Sequence, residues 1–328
     1  MPTLQDTKAA DGRERRGFDA DCAPSGWPPI VPAGFTLLEL LVSMTILILL
    51  VAILAGIFSS VSKTSQLGYS NNERMQNILA VTDFIRSDLR SALLPVNRPD
   101  TNNLQFVVNP GSISGSFKNP HAVFWQSPAA TDQTLGDVAE VGYFVKWNTN
   151  DASKPKPYLC RFSVANSAAG TNFLIYSSPA TWLTDSILNA VAPADAANAY
   201  QGLIAENVVA LFVQCLDARG QPITRNAAGG TFTTPLFDSR LGFLDSGATN
   251  NTNLACALPP IVRLGFVLAD SRSANRIGPT EKTTLTTLGS SATDAPDYVT
   301  KALARTDLKG IAEGLRSYQI EVNLFNAR

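Results

Sequence analysis

One histidine and four cysteines in 328 residues leave too few ligands for a Cys/His zinc cage and little for histidine-based catalysis. Charge of either sign is also scarce. Lys and Arg number 26 and Asp and Glu 27, so the net charge is −1 and charged residues make up only 16%. Phosphate binding needs a basic surplus on some face, so nucleic acid is excluded as a default partner. No Gly-rich phosphate loop and no Gly-x-Ser-x-Gly elbow occurs. The acidic residues are scattered, and no pair has a spacing that implies general acid/base work. No internal repeat is evident. Against these absences stand a hydrophobic content of 45% and a mean hydropathy of +0.05. Such a chain is too apolar for disorder and too polar for a multi-pass membrane protein.

The most informative feature lies near the N-terminus. Residues 1–34 are polar, and Pro24, Pro28, Pro29 and Pro32 break any helix there. From Leu40 to Ser62 follow 23 positions without a charge, ended by Lys63. At about 1.5 Å per residue, that run crosses a bilayer core of roughly 30 Å as one helix. It is the only such segment, so the reading is a single anchor with a soluble remainder. A cleaved secretory signal would have a shorter apolar run and a small-residue cleavage site at its end. Arg15-Arg16-Gly17-Phe18 superficially matches a twin-arginine signal, but Asp19 and Asp21 follow it and the apolar run begins far downstream. Cys22 has no apolar stretch before it, as a lipoprotein cysteine would.

Glu39 stands just ahead of the uncharged run, where a carboxylate costs a few kcal/mol unless partnered or held at the interface. With its neighbours it forms Gly34-Phe35-Thr36-Leu37-Leu38-Glu39. This string resembles the processing and methylation site of type IV pilins and pseudopilins. The resemblance implies cleavage between Gly34 and Phe35 by a prepilin peptidase on the cytoplasmic side, and N-methylation of Phe35. It gives Glu39 a role in assembly: the α-ammonium of a neighbouring subunit neutralises its carboxylate in the filament core and sets the register between subunits. Residues 1–34 then form a leader. It departs from the short basic leaders of the family, carrying four basic and five acidic residues.

Helical patterning continues beyond the apolar run. Met75, Ile78, Thr82, Ile85, Leu89 and Ala92 recur at helical spacing and form one stripe, and Pro95 stops the helix. A helix from Phe35 to about Leu93 would be roughly 85–90 Å long at 1.5 Å per residue. Gly56 and Gly68 are weak points where it could bend. The expected segments are therefore a leader at 1–34, a membrane or filament-core half-helix at 35–62, an amphipathic half-helix at 63–94 and a head at 95–328.

In the head the period changes to that of strands. Leu104–Val108 and Ala122–Trp125 are mainly apolar. Val141, Tyr143, Val145 and Trp147 alternate, as do Tyr158, Cys160, Phe162 and Val164, and the two runs flank a polar stretch as a hairpin would. Val208–Leu216 is apolar on both faces apart from Gln214, which predicts a central strand. Val262, Leu264, Phe266 and Leu268 alternate, and so do Tyr318, Ile320, Val322 and Leu324, with Gln319, Glu321 and Asn323 facing out. Residues 217–258 and 270–315 read as long polar loop insertions, with a short helix from Pro296 to Arg305. The expected fold class is α+β: a long N-terminal hydrophobic helix packed on a mostly antiparallel β head.

Parts of the head resemble the GspJ/PilW-type minor pseudopilins. They are Phe84 to Arg90, Glu206-Asn207-Val208-Val209 leading to Leu216-Asp217-Ala218-Arg219-Gly220, Leu258-Pro259-Pro260-Ile261-Val262-Arg263-Leu264, and the closing Val322 to Arg328. Within that type, the chain more closely resembles the Verru_Chthon cassette protein C pseudopilins, a divergent branch that the head's long insertions fit. The resemblance implies a structural subunit, not an enzyme, of a type II secretion or type IV pilus-like filament. Its partners would be the prepilin peptidase, other major and minor pseudopilins, the inner-membrane assembly platform and the lipid bilayer. It would sit single-pass in the inner membrane with its head in the periplasm. Two rival readings are a membrane-anchored β-domain binding or adhesion protein, and an anchored hydrolase, which would need a carboxylate pair.

Few other residues suggest chemistry. His121 has no histidine partner and reads as a strand-end residue. Asp132, Asp137 and Glu140 form an acidic cluster able to hold calcium, but without the dense Asp/Asn/Gly loop of a strong calcium motif they read as a solvated loop. No cofactor is expected. Cleavage after Gly34 leaves Cys160, Cys215 and Cys256, enough for one disulfide in a disulfide-permissive compartment. The sequence does not choose the pair, and Cys160 and Cys215 read equally well as buried apolar residues.

Overall fold

The computed structural model describes residues 34–93, 105–128, 138–165, 182–191, 202–245 and 257–324. The chain divides into two units between Ser62 and Lys63. The fold is α+β, an N-terminal apolar helix followed by a head of mostly antiparallel sheets. Helix α1 runs from Leu37 to Arg90, with acidic Glu39 in its first turn and basic Arg90 in its last, each complementing the helix dipole. Gly56 and Gly68 lie inside it and do not interrupt it. In the first unit every residue from Gly34 to Ser62 is exposed.

In the second unit, the end of α1 packs on the head through Ile78, Val81, Ile85 and Leu89, joined by Ala92 just beyond it. Fully burying each larger apolar side chain is worth about 1.5–3 kcal/mol. The stripe differs from expectation at one end. Met75 is 47% exposed, whereas Val81 is buried. At 3.6 residues per turn Val81 and Met75 fall on opposite flanks of the stripe, and the head covers the Val81 flank.

The head holds two antiparallel sheets. The first has six strands in the order β5-β4-β3-β2-β1-β7. They are β1 (Phe106–Val108), β2 (Ala122–Ser127), β3 (Ala139–Asn148), β4 (Lys156–Ala165), β5 (Leu203–Glu206) and β7 (Phe237–Asp238). The expected hairpin is β3–β4, in register from Ala139↔Ala165 to Asn148↔Lys156. A short helix α2 (Asp185–Val191) precedes β5. The second sheet has the order β6-β8-β9, with β6 at Val208–Leu216, β8 at Ile261–Ala269 and β9 at Leu315–Asn323. The central strand is thus β8, not Val208–Leu216. Burial on both faces of β6 was legible, but its outer edge carries no full strand among the described residues: Leu211 N–H donates to Asn119 O at 2.8 Å, His121 N–H to Leu211 O at 3.0 Å and Ile223 N–H to Cys215 O at 2.9 Å.

Side-chain alternation sorts the core into three layers. Val123, Trp125, Val141, Tyr143, Val145 and Leu159 face α1 and the inner side of the second sheet. Phe124, Phe144, Cys160 and Phe162 face the other way, onto Phe117, Trp182 and Leu188. Gly142 belongs to this outer face, and a Cβ there would collide with the Phe124 ring, so the ring occupies the space that the glycine leaves.

The third layer corrects an expectation. Residues 270–315 are not a polar loop but carry α3 (Ser271–Ala274), α4 (Pro279–Ser291), α5 (Ala295–Leu303) and α6 (Lys309–Ala312). Leu285, Leu288, Ala295, Tyr298 and Ala302 pack on Phe212 and Val267 of the second sheet. Pro279 opens α4 with Glu281 reaching back to the Gly278 N–H, and Asp294 caps α5 by accepting the Asp297 N–H.

Candidate functional site

Gly34, Phe35 and Thr36 are exposed and non-helical, and α1 starts immediately after them. The Thr36 hydroxyl accepts the Glu39 N–H at 3.2 Å, and the Thr36 carbonyl accepts the Leu40 N–H at 3.2 Å. Thr36 is therefore the N-cap, satisfying one of the donors that a helix start leaves orphaned. Gly34 and Phe35 are left outside the helix, with the backbone between them free of its ladder. Phe35 is 77% exposed. Further along, Ser43 and Thr45 turn their hydroxyls onto their own helix, at 2.9 Å to Leu40 O and 2.7 Å to Val42 O. Their polar groups are thereby satisfied without water. Among the described residues one helical stretch is long and apolar enough to cross a membrane, the 30 residues Leu37–Gln66.

Residues 32–55 match the family model of the prokaryotic N-terminal methylation motif. The methylation motif thus covers the cap, Glu39 and most of the uncharged run. It supports a type IV pilin-like protein of the pilin and pseudopilin superfamily, taking part in pilus or pseudopilus assembly. That family is structural rather than enzymatic. The motif implies processing by a prepilin peptidase and assembly with other pilins. Together with the apolar helix it fits a membrane-anchored single-pass protein. No curated protein and no solved structure matches the chain.

The other residues singled out from the sequence do not converge. His121 lies just before β2, where its Nδ1 accepts the Val213 N–H at 2.9 Å. Burial pushes its pKa down to about 4, so the ring is neutral. Glu140 is not in a solvated loop. It lies on β3, fully buried and opposite Gln126, and neither carboxylate oxygen has a hydrogen-bond partner. Burial raises its pKa to about 8. Asp132 and Asp137 lie outside the described residues, so the calcium reading has no geometry. Cys160 and Cys215 are free and buried, on β4 and β6 in different core layers. A Cys160–Cys215 bridge is therefore not formed, and Cys256 lies outside the described residues. Burial pushes the Cys160 thiol up to about 12 and Cys215 higher still, so both act as apolar core residues.

Sequence reasoning passed over one cluster. Asp88 of α1 accepts from Arg161 Nε at 2.7 Å and from the Tyr143 hydroxyl at 2.5 Å, and the guanidinium lies 5.2 Å from the centre of the Phe84 ring. The available signal was Arg161, the one charge among the apolar residues 157–162 of β4.

Proposed function

We propose that the chain is a minor pseudopilin of the GspJ/PilW type, a structural subunit of a type II secretion or type IV pilus-like filament. It is made as a precursor, cut between Gly34 and Phe35 by the prepilin peptidase and N-methylated on Phe35. Before assembly it rests in the inner membrane through Leu37–Gln66, with residues 95–328 as a periplasmic head. In the filament the half-helix 35–62 supplies the core contact, and the Glu39 carboxylate, met by a neighbouring subunit's N-terminal ammonium, sets the register. The Verru_Chthon cassette protein C branch suits the insertions of the head.

One observation carries this reading: the match to the methylation motif coincides with a capped helix whose first turn holds Glu39 and whose next residues carry no charge. A plain membrane anchor requires none of these features together. Mass spectrometry of the N-terminal peptide, from cells with and without the prepilin peptidase, tests it. A chain starting at N-methylated Phe35 only when the peptidase is present supports the reading. Retention of residues 1–34 in both strains would overturn it and leave a membrane-anchored binding domain.

A further inference from the structure

A cavity of about 230 Å³ in the head opens beside the second sheet where the helical layer ends. One side is apolar, lined by Phe212, Ile223 and Phe232. Gly265 forms part of the lining, and a Cβ there would press on Ala295 and Phe212 at 3.0 and 3.4 Å.

The polar side combines donors and acceptors that the fold leaves unused. His121 spends Nδ1 on the Val213 backbone, 2.9 Å from its N–H and 3.1 Å from its carbonyl, which leaves Nε2 to serve a ligand as donor or acceptor according to the tautomer. Asp294 accepts the Asp297 N–H on Oδ1 at 2.8 Å, leaving Oδ2 open. Gln319 contributes an exposed amide with both donor and acceptor capacity. Arg263 is already engaged, with Nε and Nη2 on Glu321 at 2.8 and 2.7 Å and Nη1 on Gln214 at 3.1 Å.

Charge narrows the ligand. The Asp294 carboxylate disfavours an anion, the N-terminus of α5 that it caps offsets its pull on a cation, and Arg263 is neutralised by Glu321. What remains is a neutral molecule with one apolar face and several hydroxyls. The size limits it further, since sites for drug-sized ligands run to about 300–1,000 Å³. We infer that this cavity binds a single neutral hexose ring, its C–H face on the apolar wall and its hydroxyls on His121, Asp294 and Gln319. A phenol or other aromatic side chain would fill the apolar wall but would bring one hydroxyl to a rim offering at least three polar partners.

The test uses the full chain in a zwitterionic detergent without a sugar headgroup. Saturation-transfer NMR and calorimetry are run with methyl α-glucoside, methyl β-galactoside and N-acetylglucosamine, and with maltotriose and chitotriose. Titration extends to about 50 mM, well above the roughly millimolar affinity that a single-ring ligand reaches. Transfer to a monosaccharide alone identifies a free sugar, and transfer confined to one end ring of a trisaccharide identifies a glycan terminus; either supports the inference. Asp294→Asn, which keeps the helix cap, and Gln319→Ala should each weaken binding about tenfold. Their thermal transitions should match the parent chain. No binding of any of these sugars, binding of p-cresol alone, or unchanged sugar affinity in both variants would overturn the inference. None of these outcomes depends on how the N-terminus is processed.

Discussion

Asp88 on α1 and Arg161 on β4 meet at 2.7 Å, and Tyr143 donates its hydroxyl to the same carboxylate oxygen. Their side chains are only 16% and 20% exposed. This cluster adds a directional tie to the apolar packing of Ile78, Ile85 and Leu89, so it specifies where the end of α1 seats on the sheet. Asp88→Ala would strand both Arg161 and Tyr143 in a partly buried setting. We expect a loss of about 2–4 kcal/mol, toward the range for breaking a buried pair. Arg161→Lys should lose less, retaining charge but not the Nε geometry. Denaturant unfolding of the detergent-solubilised chain checks both. An Asp88→Ala loss below about 0.5 kcal/mol, typical of exposed pairs, would contradict the assignment.

Glu140 gives the head a pH dependence of defined sign. Its pKa rises from the usual 4.5 to about 8 through burial. Between those values the folded state holds a proton that the unfolded state has released. Stability therefore falls as pH rises through this window, by up to about 1.4 kcal/mol per unit, and levels off above it. His121 acts in the opposite sense, since its pKa is lowered from 6.5 to about 4. The unfolded state binds the extra proton there, so stability falls as pH drops through that range. The two slopes offset each other between about 4.5 and 6.5, leaving pH 6.5–8 as the window where Glu140 acts alone. Glu140→Gln should change stability little near pH 5 and remove most of the decline above pH 6.5. Unfolding midpoints measured across pH 5–9 check this. An unchanged decline in the variant would show that another group titrates.

Features governed by local period were legible in the sequence. The Ile78, Ile85, Leu89 stripe and the β3–β4 alternation follow from geometry that a single segment imposes on itself. Features governed by neighbours were not. The period of Val208–Leu216 reports two buried faces but not which strands hydrogen-bond to it, and its second face is covered by helices. Those helices were obscured by the Thr, Ser and Gly content of 270–315. Their caps at Gly278-Pro279-Thr280-Glu281 and Asp294-Ala295-Pro296-Asp297 were readable, as was the spacing of Leu285 and Leu288. At the N-terminus the motif is contiguous and was legible in full. The cavity beside Gly265 was not, because its walls come from segments far apart in the chain.

Thr36 caps α1 and leaves Gly34 and Phe35 outside it. Thr36→Val preserves shape and removes the acceptor for the Glu39 N–H. The expected cost at the helix start is about 1 kcal/mol, or roughly fivefold faster exchange of the Glu39 amide in micelles. Thr36→Ser should restore protection. Equal exchange in the parent chain and Thr36→Val would mean that the hydroxyl does not cap.

Glu39 separates anchoring from assembly. A carboxylate in a membrane helix costs a few kcal/mol unless it is partnered or interfacial. Removing it should therefore leave insertion intact or ease it. In the proposed filament core the same carboxylate meets an N-terminal ammonium, so its removal leaves that ammonium unpaired in an apolar bundle. Glu39→Ala should accordingly remain in the membrane fraction and disappear from the sheared filament fraction. Glu39→Asp, one methylene shorter, should retain partial incorporation. Full incorporation of Glu39→Ala would remove the case for charge pairing and leave the motif's carboxylate with no role in register.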